Sequence, residues 1–232
     1  MSAPTKSRAL DPLPTHVVKE FLPELLPYIT DMCKASLSQG IIPVSQRHVI
    51  IMLRLKKSGL NPADMKNYWP ISNLTFMSKI VKRLVCCQIT TFLEWNNFIP
   101  KEQSAYRRGQ SMETAVLKLI SDFYSAADKC EVSLLGLLDL SAAFDTVDHS
   151  ILCQQPTKCF QQPSIVLSWI KSFIEDRTQS VKFAWGQFDK SSVLCGVPQG
   201  SVLGPILFIL YTSDVIGIAH RHSIHVHSYA DD

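Results

Sequence analysis

The chain has 232 residues, 46% of them apolar and 19% charged, which excludes a disordered tail and allows one large domain or two small ones. Its formal net charge of +3 is unevenly spread: residues 47–129 carry 13 Lys or Arg against 6 Asp or Glu, and residues 130–232 carry 6 against 10. A basic segment followed by an acidic one could hold a polyanion beside metal ions, although an ordinary scatter of surface charge gives the same counts.

Residues 1–15 read as a loose leader. A helical apolar pattern runs from His16 to Ser38, punctuated by Pro23 and Pro27 and ended by Gly40. His48 to Leu55 is a short strand, and Lys56 and Lys57 open a polar loop to Tyr68 where two amines could grip phosphate or simply face water. Asn73 can cap a long helix from about Leu74 to Glu94, because its apolar residues recur at three and four positions. Pro100 to Gly109 is a loop holding Tyr106, Arg107 and Arg108; an aromatic beside two arginines can stack on a base or fork onto a phosphate. Ser111 caps the next helix, to about Ala127.

The run Val132 to Leu140 is almost wholly apolar and delivers one carboxylate, Asp139. An apolar run that does not alternate predicts a strand covered on both faces. A carboxylate there needs a cation, a donor or an opening to water. Asp145 follows six residues on, and Asp231 and Asp232 follow a second possible strand, Ser223 to Ala230. Carboxylates from separate strand ends suggest a divalent-metal site; the plainer alternative is that Asp139 caps a helix beginning near Ser141. Asp148 or Ser150 can begin a further helix, which Pro156 should break after one turn. Pro163 starts a helix Ser164 to Ile174, and Ser180 to Phe183 pairs with Phe188 to Leu194 around Trp185 and Gly186. Gly196-Val197-Pro198-Gln199-Gly200-Ser201 is a rigid turn ahead of a helix through Leu210 or Asp214, in which Pro205 either lies in the first turn or makes a kink.

Seven cysteines form no C-x-x-C unit, and their odd number leaves one over in any full pairing. This predicts a reducing compartment and mostly buried thiols. The first residues hold no apolar signal core, and Val202 to Tyr211 falls well short of the roughly 20 residues that span a bilayer. The expectation is an intracellular chain, nuclear or cytoplasmic, neither secreted nor membrane-bound. His220, His222, His225 and His227 with the final aspartates offer a zinc-binding alternative.

The block Leu137-Leu138-Asp139-Leu140-Ser141-Ala142-Ala143-Phe144-Asp145, the turn Gly196 to Pro205 and the ending Tyr229-Ala230-Asp231-Asp232 together resemble the reverse transcriptase of non-LTR retrotransposons. Asn67 to Ser72, Gln103 to Gly109 and Trp169 to Phe173 resemble further blocks of that domain, so the resemblance covers roughly residues 17–232. It implies an α+β right-hand polymerase: fingers over about 16–130, then a partial palm with an antiparallel sheet over 131–232. A helix and hairpin insert falls at 163–195, and the thumb is absent because the sequence stops just after the Tyr-Ala-Asp-Asp motif.

By that resemblance Asp139, Asp231 and Asp232 are the catalytic metal ligands for Mg2+ or Mn2+, and the Leu140 carbonyl assists. Phe144 is the gate beneath the incoming deoxynucleoside triphosphate, and Pro198, Gln199 and Gly200 support it. The implied partners are an RNA template and a DNA primer, with Lys56, Lys57, Tyr106, Arg107 and Arg108 as nucleic-acid contacts; nothing in the sequence speaks to oligomeric state. Trp69 departs from the family pattern, standing where an arginine is usual. With the truncation, that departure predicts a weakly active or inactive polymerase fragment, or a non-catalytic nucleic-acid-binding remnant of a transposable element.

Overall fold

The computed structural model describes residues 11, 14–140, 142–160, 165–183, 186–198 and 200–230. The predicted N-terminal helix forms as two pieces, α1 (Thr15–Glu20) and α2 (Leu22–Gln39), with Phe21 leaving helical geometry between them. Pro23 sits in the first turn of α2, where no amide is needed. Gly40 ends α2 in the left-handed conformation at φ 65°.

β1 (His48–Leu55) forms as predicted and pairs antiparallel with β2 (Tyr68–Asn73), in register from Ile50 opposite Asn73 to Leu55 opposite Tyr68. Because Asn73 is held in that strand, it does not cap the next helix. The cap of α3 (Phe76–Trp95) is Thr75, whose hydroxyl accepts from Ser78 N at 3.1 Å. α4 (Met112–Asp128) begins as expected with a capping box between Ser111 and Thr114. It buries no residue, and Val116, Leu117, Ile120 and Tyr124 are exposed.

The expected buried strand at 132–140 is corrected. Residues 131–140 form no strand and are exposed throughout, Val132 at 99% and Leu134 at 98%. A strand apolar on both faces needs neighbours on both edges and cover on both sides, and no described segment pairs with this one. The second expected strand, Ser223 to Ala230, is also irregular and makes one isolated parallel bridge, Ser228 to Gln103.

α5 (His149–Phe160) begins at Asp148, whose Oδ1 accepts from Ser150 N at 2.8 Å and Ile151 N at 3.1 Å. Those bonds, with that from the Ser150 hydroxyl, hold the Asp148 carboxyl below its ordinary pKa. Pro156 does not break this helix, contrary to the one-turn expectation. A proline forfeits one backbone hydrogen bond, and burial of Leu152 in the core, at 0% exposure, anchors the turn before it.

α6 (Ile165–Ile174) follows, with Pro163 and Ser164 outside the described residues. The predicted return strand is split into β4 (Gly186–Gln187) and β5 (Ser191–Ser192), both antiparallel to β3 (Thr178–Phe183); Trp185 is not among the described residues. α7 (Gly204–Arg221) runs a further turn or more past its predicted end, with Pro205 in its first turn.

The sheet is mixed, which corrects the purely antiparallel expectation. β3 lies parallel to β1 on its other edge, His48 opposite Thr178 through Met52 opposite Lys182, giving the order β2-β1-β3-β4 with β5 also on β3. Parallel neighbours require a long crossover, and residues 56–177 supply it. One sheet therefore joins residues on both sides of position 130.

The core is mainly helix on helix, from Ile29 and Cys33 of α2 through Val81, Val85 and Ile89 of α3, Trp169 and Phe173 of α6, and Ile206 to Leu210 of α7. Trp169 stacks on Phe173 with centroids 5.8 Å apart and donates its indole N–H to Ser36 Oγ at 3.0 Å. Gly40 lies where a Cβ would press on Ile165 at 2.9 Å, so α2 and α6 meet closely only because that residue is glycine.

The thiols correct a further expectation: among the six cysteines whose side chains are described, all free, only Cys33 is buried, while Cys87, Cys130 and Cys195 are exposed. Among the described residues no helix is long and apolar enough to cross a membrane.

Candidate functional site

Two segments far apart in sequence are stitched together by backbone. Val197 N donates to Phe144 O and Gly196 N to Val147 O, both at 2.7 Å, and the His149 ring donates from Nε2 to Gly196 O at 2.8 Å. Gly196 takes φ 82°, and a Cβ there would lie 2.8 Å from Asp145 O and 3.0 Å from Phe144 O. Only glycine permits this approach. The turn then closes through Ser201 N donating to Pro198 O at 3.0 Å and leads into α7. Phe144 is wedged at the joint, its ring 5.2 Å from that of Phe208 and 3.7 Å from where a Gly204 Cβ would stand.

This joint forms one wall of a cleft of about 690 Å³. Ala142, Phe144, Pro198, Gly200 and Gly204 line that wall; Cys86 and Thr90 of α3, Trp69 of β2 and Tyr106 line the rest. Cys86 donates to Val202 O at 3.2 Å, and partial burial raises its thiol pKa, keeping it protonated. The predicted residues Phe144, Pro198 and Gly200 are thus brought together; Gln199 lies outside the described residues.

Of the three acidic residues expected as ligands, Asp139 lies within the described residues. Asp139 is exposed on the unpaired 131–140 segment, and the Leu140 carbonyl accepts from Ala143 N at 3.2 Å. Asp231 and Asp232 lie outside the described residues. The segment leading to them is clipped to the 100–105 loop: Ser104 N donates to Ser228 O at 2.9 Å, Ser228 N to Glu102 O at 3.1 Å, and Gln103 Nε2 to Ser228 Oγ at 3.0 Å. The Gln103 side-chain oxygen Oε1 accepts from Ala105 N at 2.9 Å and Ala230 N at 3.3 Å. Ala230 itself sits at φ 62°, a conformation unusual outside glycine.

Gln103 thus ties the 223–230 segment to the 100–105 loop, a contact that sequence reasoning missed although Gln103 opens the block Gln103 to Gly109. His149 and Gly196 were likewise passed over as partners, because their contact spans 47 positions.

Two of the four histidines expected to offer zinc ligands lie beside carboxylates. His227 Nε2 donates to Asp122 Oδ2 at 2.6 Å, and His220 Nε2 lies 3.4 Å from Glu102 Oε1. Among the described residues no three His, Cys, Asp or Glu side chains gather to hold a metal.

Of the predicted basic contacts, Lys56, Lys57 and Arg108 are exposed, the two lysines following β1 on the loop that leads to β2. Arg107 braces its own loop, donating from Nη1 to Pro100 O at 3.0 Å and Gln103 O at 3.4 Å. Tyr106 adopts φ 57° and lines the cleft.

Residues 55–232 match the family described as reverse transcriptase (RNA-dependent DNA polymerase), and the chain belongs to that family. It is 27% identical over 98% of its length to an RNA-directed DNA polymerase from mobile element jockey of Drosophila melanogaster, covering 25% of that relative. It is 31% identical over 81% of its length to a probable RNA-directed DNA polymerase from transposon X-element of the same species, covering 20% of it. The Drosophila funebris jockey polymerase is 30% identical over 99% of this chain, again with 25% of the relative covered. The chain therefore spans about a quarter of the length of the curated relatives it matches.

Proposed function

We propose that this chain is the fingers and part of the palm of an RNA-directed DNA polymerase, and that by itself it extends a primer weakly or not at all. The observation that carries the reading is the cleft built where the Phe144 block meets the Pro198 turn, in a chain of the reverse transcriptase family. Residues 16–130 would act as fingers and 131–232 as palm. An RNA template and DNA primer would be the partners, with Lys56, Lys57, Tyr106 and Arg108 near the nucleic acid.

Carboxylate and carbonyl oxygens suit a hard divalent cation, and Asp139, the Leu140 carbonyl, Asp231 and Asp232 are the groups that would hold Mg2+ or Mn2+. Such ions, when bound, sharpen the attacking hydroxyl and stabilise charge on the transferred phosphoryl group. Phe144 would sit beneath the sugar of a deoxynucleoside triphosphate, its ring excluding a 2′-hydroxyl by volume.

Low activity would follow from Asp139 standing on an exposed segment that pairs with no strand among the described residues. Misplacement of a reacting group by about 1 Å costs on the order of a hundredfold in rate.

Primer extension on an RNA template with Mg2+, run beside Asp139→Ala, tests this reading. Trace extension abolished by the substitution supports it, and robust extension overturns the claim of weakness. Salt-dependent binding of primer-template indifferent to Asp139, with no extension, favours a purely nucleic-acid-binding role for the net +7 segment 47–129.

A further inference from the structure

Two stretches that follow one another in the chain are uncovered among the described residues. α4 turns one apolar arc outward, formed by Met112, Val116, Leu117, Ile120 and Tyr124, and none of its residues is buried. The chain then turns through Cys130 at φ 58°, with Cys130 N donating to Ala127 O and Glu131 N to Ala126 O, both at 2.9 Å. Residues 131–140 come next, with Leu137 82% and Leu138 80% exposed. No described segment pairs with them.

Drawn out as a strand, this segment has two unlike faces. Val132, Leu134, Gly136, Leu138 and Leu140 would share one that carries no polar side chain, while Glu131, Ser133 and Asp139 interrupt the other. Two paired strands alone are marginal in water, so the apolar face needs cover. α4 is the apolar surface nearest in sequence, and its 17 residues span about 25 Å.

A second copy of the segment fits the open edge. Laid antiparallel about a two-fold axis at Leu134, it sets Lys129 opposite the partner's Asp139, twice over by symmetry. An axis one residue on, at Leu135, would instead set Glu131 against the partner's Asp139, and like charges facing each other destabilise a ladder. The arc and the segment together present on the order of 1,000 Å² of mostly apolar surface per chain, enough for an ordinary stable interface of about 800 Å² per partner.

We propose that this chain forms a two-fold dimer in which residues 131–140 of the two copies pair as antiparallel strands centred on Leu134, with α4 of each copy lying across their apolar face. This goes beyond the polymerase reading and does not depend on it.

Sedimentation velocity of the full chain from about 1 to 100 µM tests it, and a monomer–dimer equilibrium with nothing larger is expected. Leu134→Lys sets two ammonium groups together at the axis and should weaken the dimer by about tenfold or more. Leu117→Lys, in the α4 arc, should do the same, whereas Ser133→Lys, on the mixed face, should stay within about threefold of the parent. Lys129→Glu and Asp139→Lys should each weaken it by about threefold, and the two together should restore it. Under mild oxidation Leu134→Cys should give a disulfide-linked dimer, because residues facing each other across a ladder hold their Cβ atoms about 5 Å apart; Leu135→Cys should cross-link no more than the parent. Leu117, Ser133 and Leu134 are exposed, so melts of those three lysine variants at the lowest concentration should match the parent.

A monomer throughout, as expected if the segment pairs within its own chain, overturns the proposal. So does open-ended growth of mass, a dimer that Leu134→Lys leaves intact, a dimer weakened equally by Ser133→Lys, or a dimer that Leu134→Cys fails to cross-link.

Discussion

Lys82 Nζ lies 5.0 Å from the centroid of the Phe173 ring, inside the core and without a hydrogen-bond partner among the described residues. The Arg177 guanidinium lies 5.1 Å from the same centroid, also buried, with its Nη2 unpartnered among the described residues. The ring face attracts cations, but burial outweighs it: loss of water, with Arg177 adding like charge, lowers the Lys82 pKa to about 7.

An unfolded lysine titrates near about 10.4. Between about 7 and that value the unfolded chain holds a proton the folded chain lacks, so stability rises with pH; below about 7 both forms hold it and this contribution is flat. Lys82→Met should stabilise the fold at pH 7 by about 1–3 kcal/mol and flatten the rise. Thermal melts from pH 6 to 10 check this, and an unchanged slope in the variant would sink it.

Gly196→Ala should destabilise the fold by about 2–3 kcal/mol, because the new methyl meets the Asp145 and Phe144 carbonyls at a positive φ. Hydrogen exchange at the Val197 amide, which donates to Phe144 O, should speed up in parallel. Retention of parental protection at that amide would mean the joint tolerates the methyl.

Gln103→Ala removes a buried amide that meets Ser228, Ala105 and Ala230 together. A cost of about 1–3 kcal/mol is expected, with faster proteolysis confined to residues 223–230. Asp122→Asn should loosen the same segment far less, since a partly exposed pair contributes under about 1 kcal/mol. Equal cleavage rates in the two variants would count against Gln103 as the principal clip.

Asp139→Asn should leave stability within about 0.5 kcal/mol of the parent, the usual range for an exposed side chain free of buried contacts. A denaturant melt shows this directly. A large loss would place Asp139 in a structural role rather than at a metal site.

The sequence by itself determined the elements whose signals are local. α3, α4, α6 and α7 were legible from apolar spacing and from Ser111 and Pro205, because a helix closes its hydrogen bonds within a few residues. β1 was legible as a short β-branched run, and the family was legible from motif blocks whose order needs no folding to read. Tertiary structure decided the rest. Asn73 lost its cap to Thr75 because Ile50 held it in a strand. The parallel contact of β1 with β3 closes over more than a hundred residues. Val132 to Leu140 has strand composition without a described partner to pair with it. The cleft itself exists because Gly196 has no side chain to keep Phe144 and Val197 apart. Pairing partners and close approaches are properties of two distant segments at once, and no single stretch of sequence carries both.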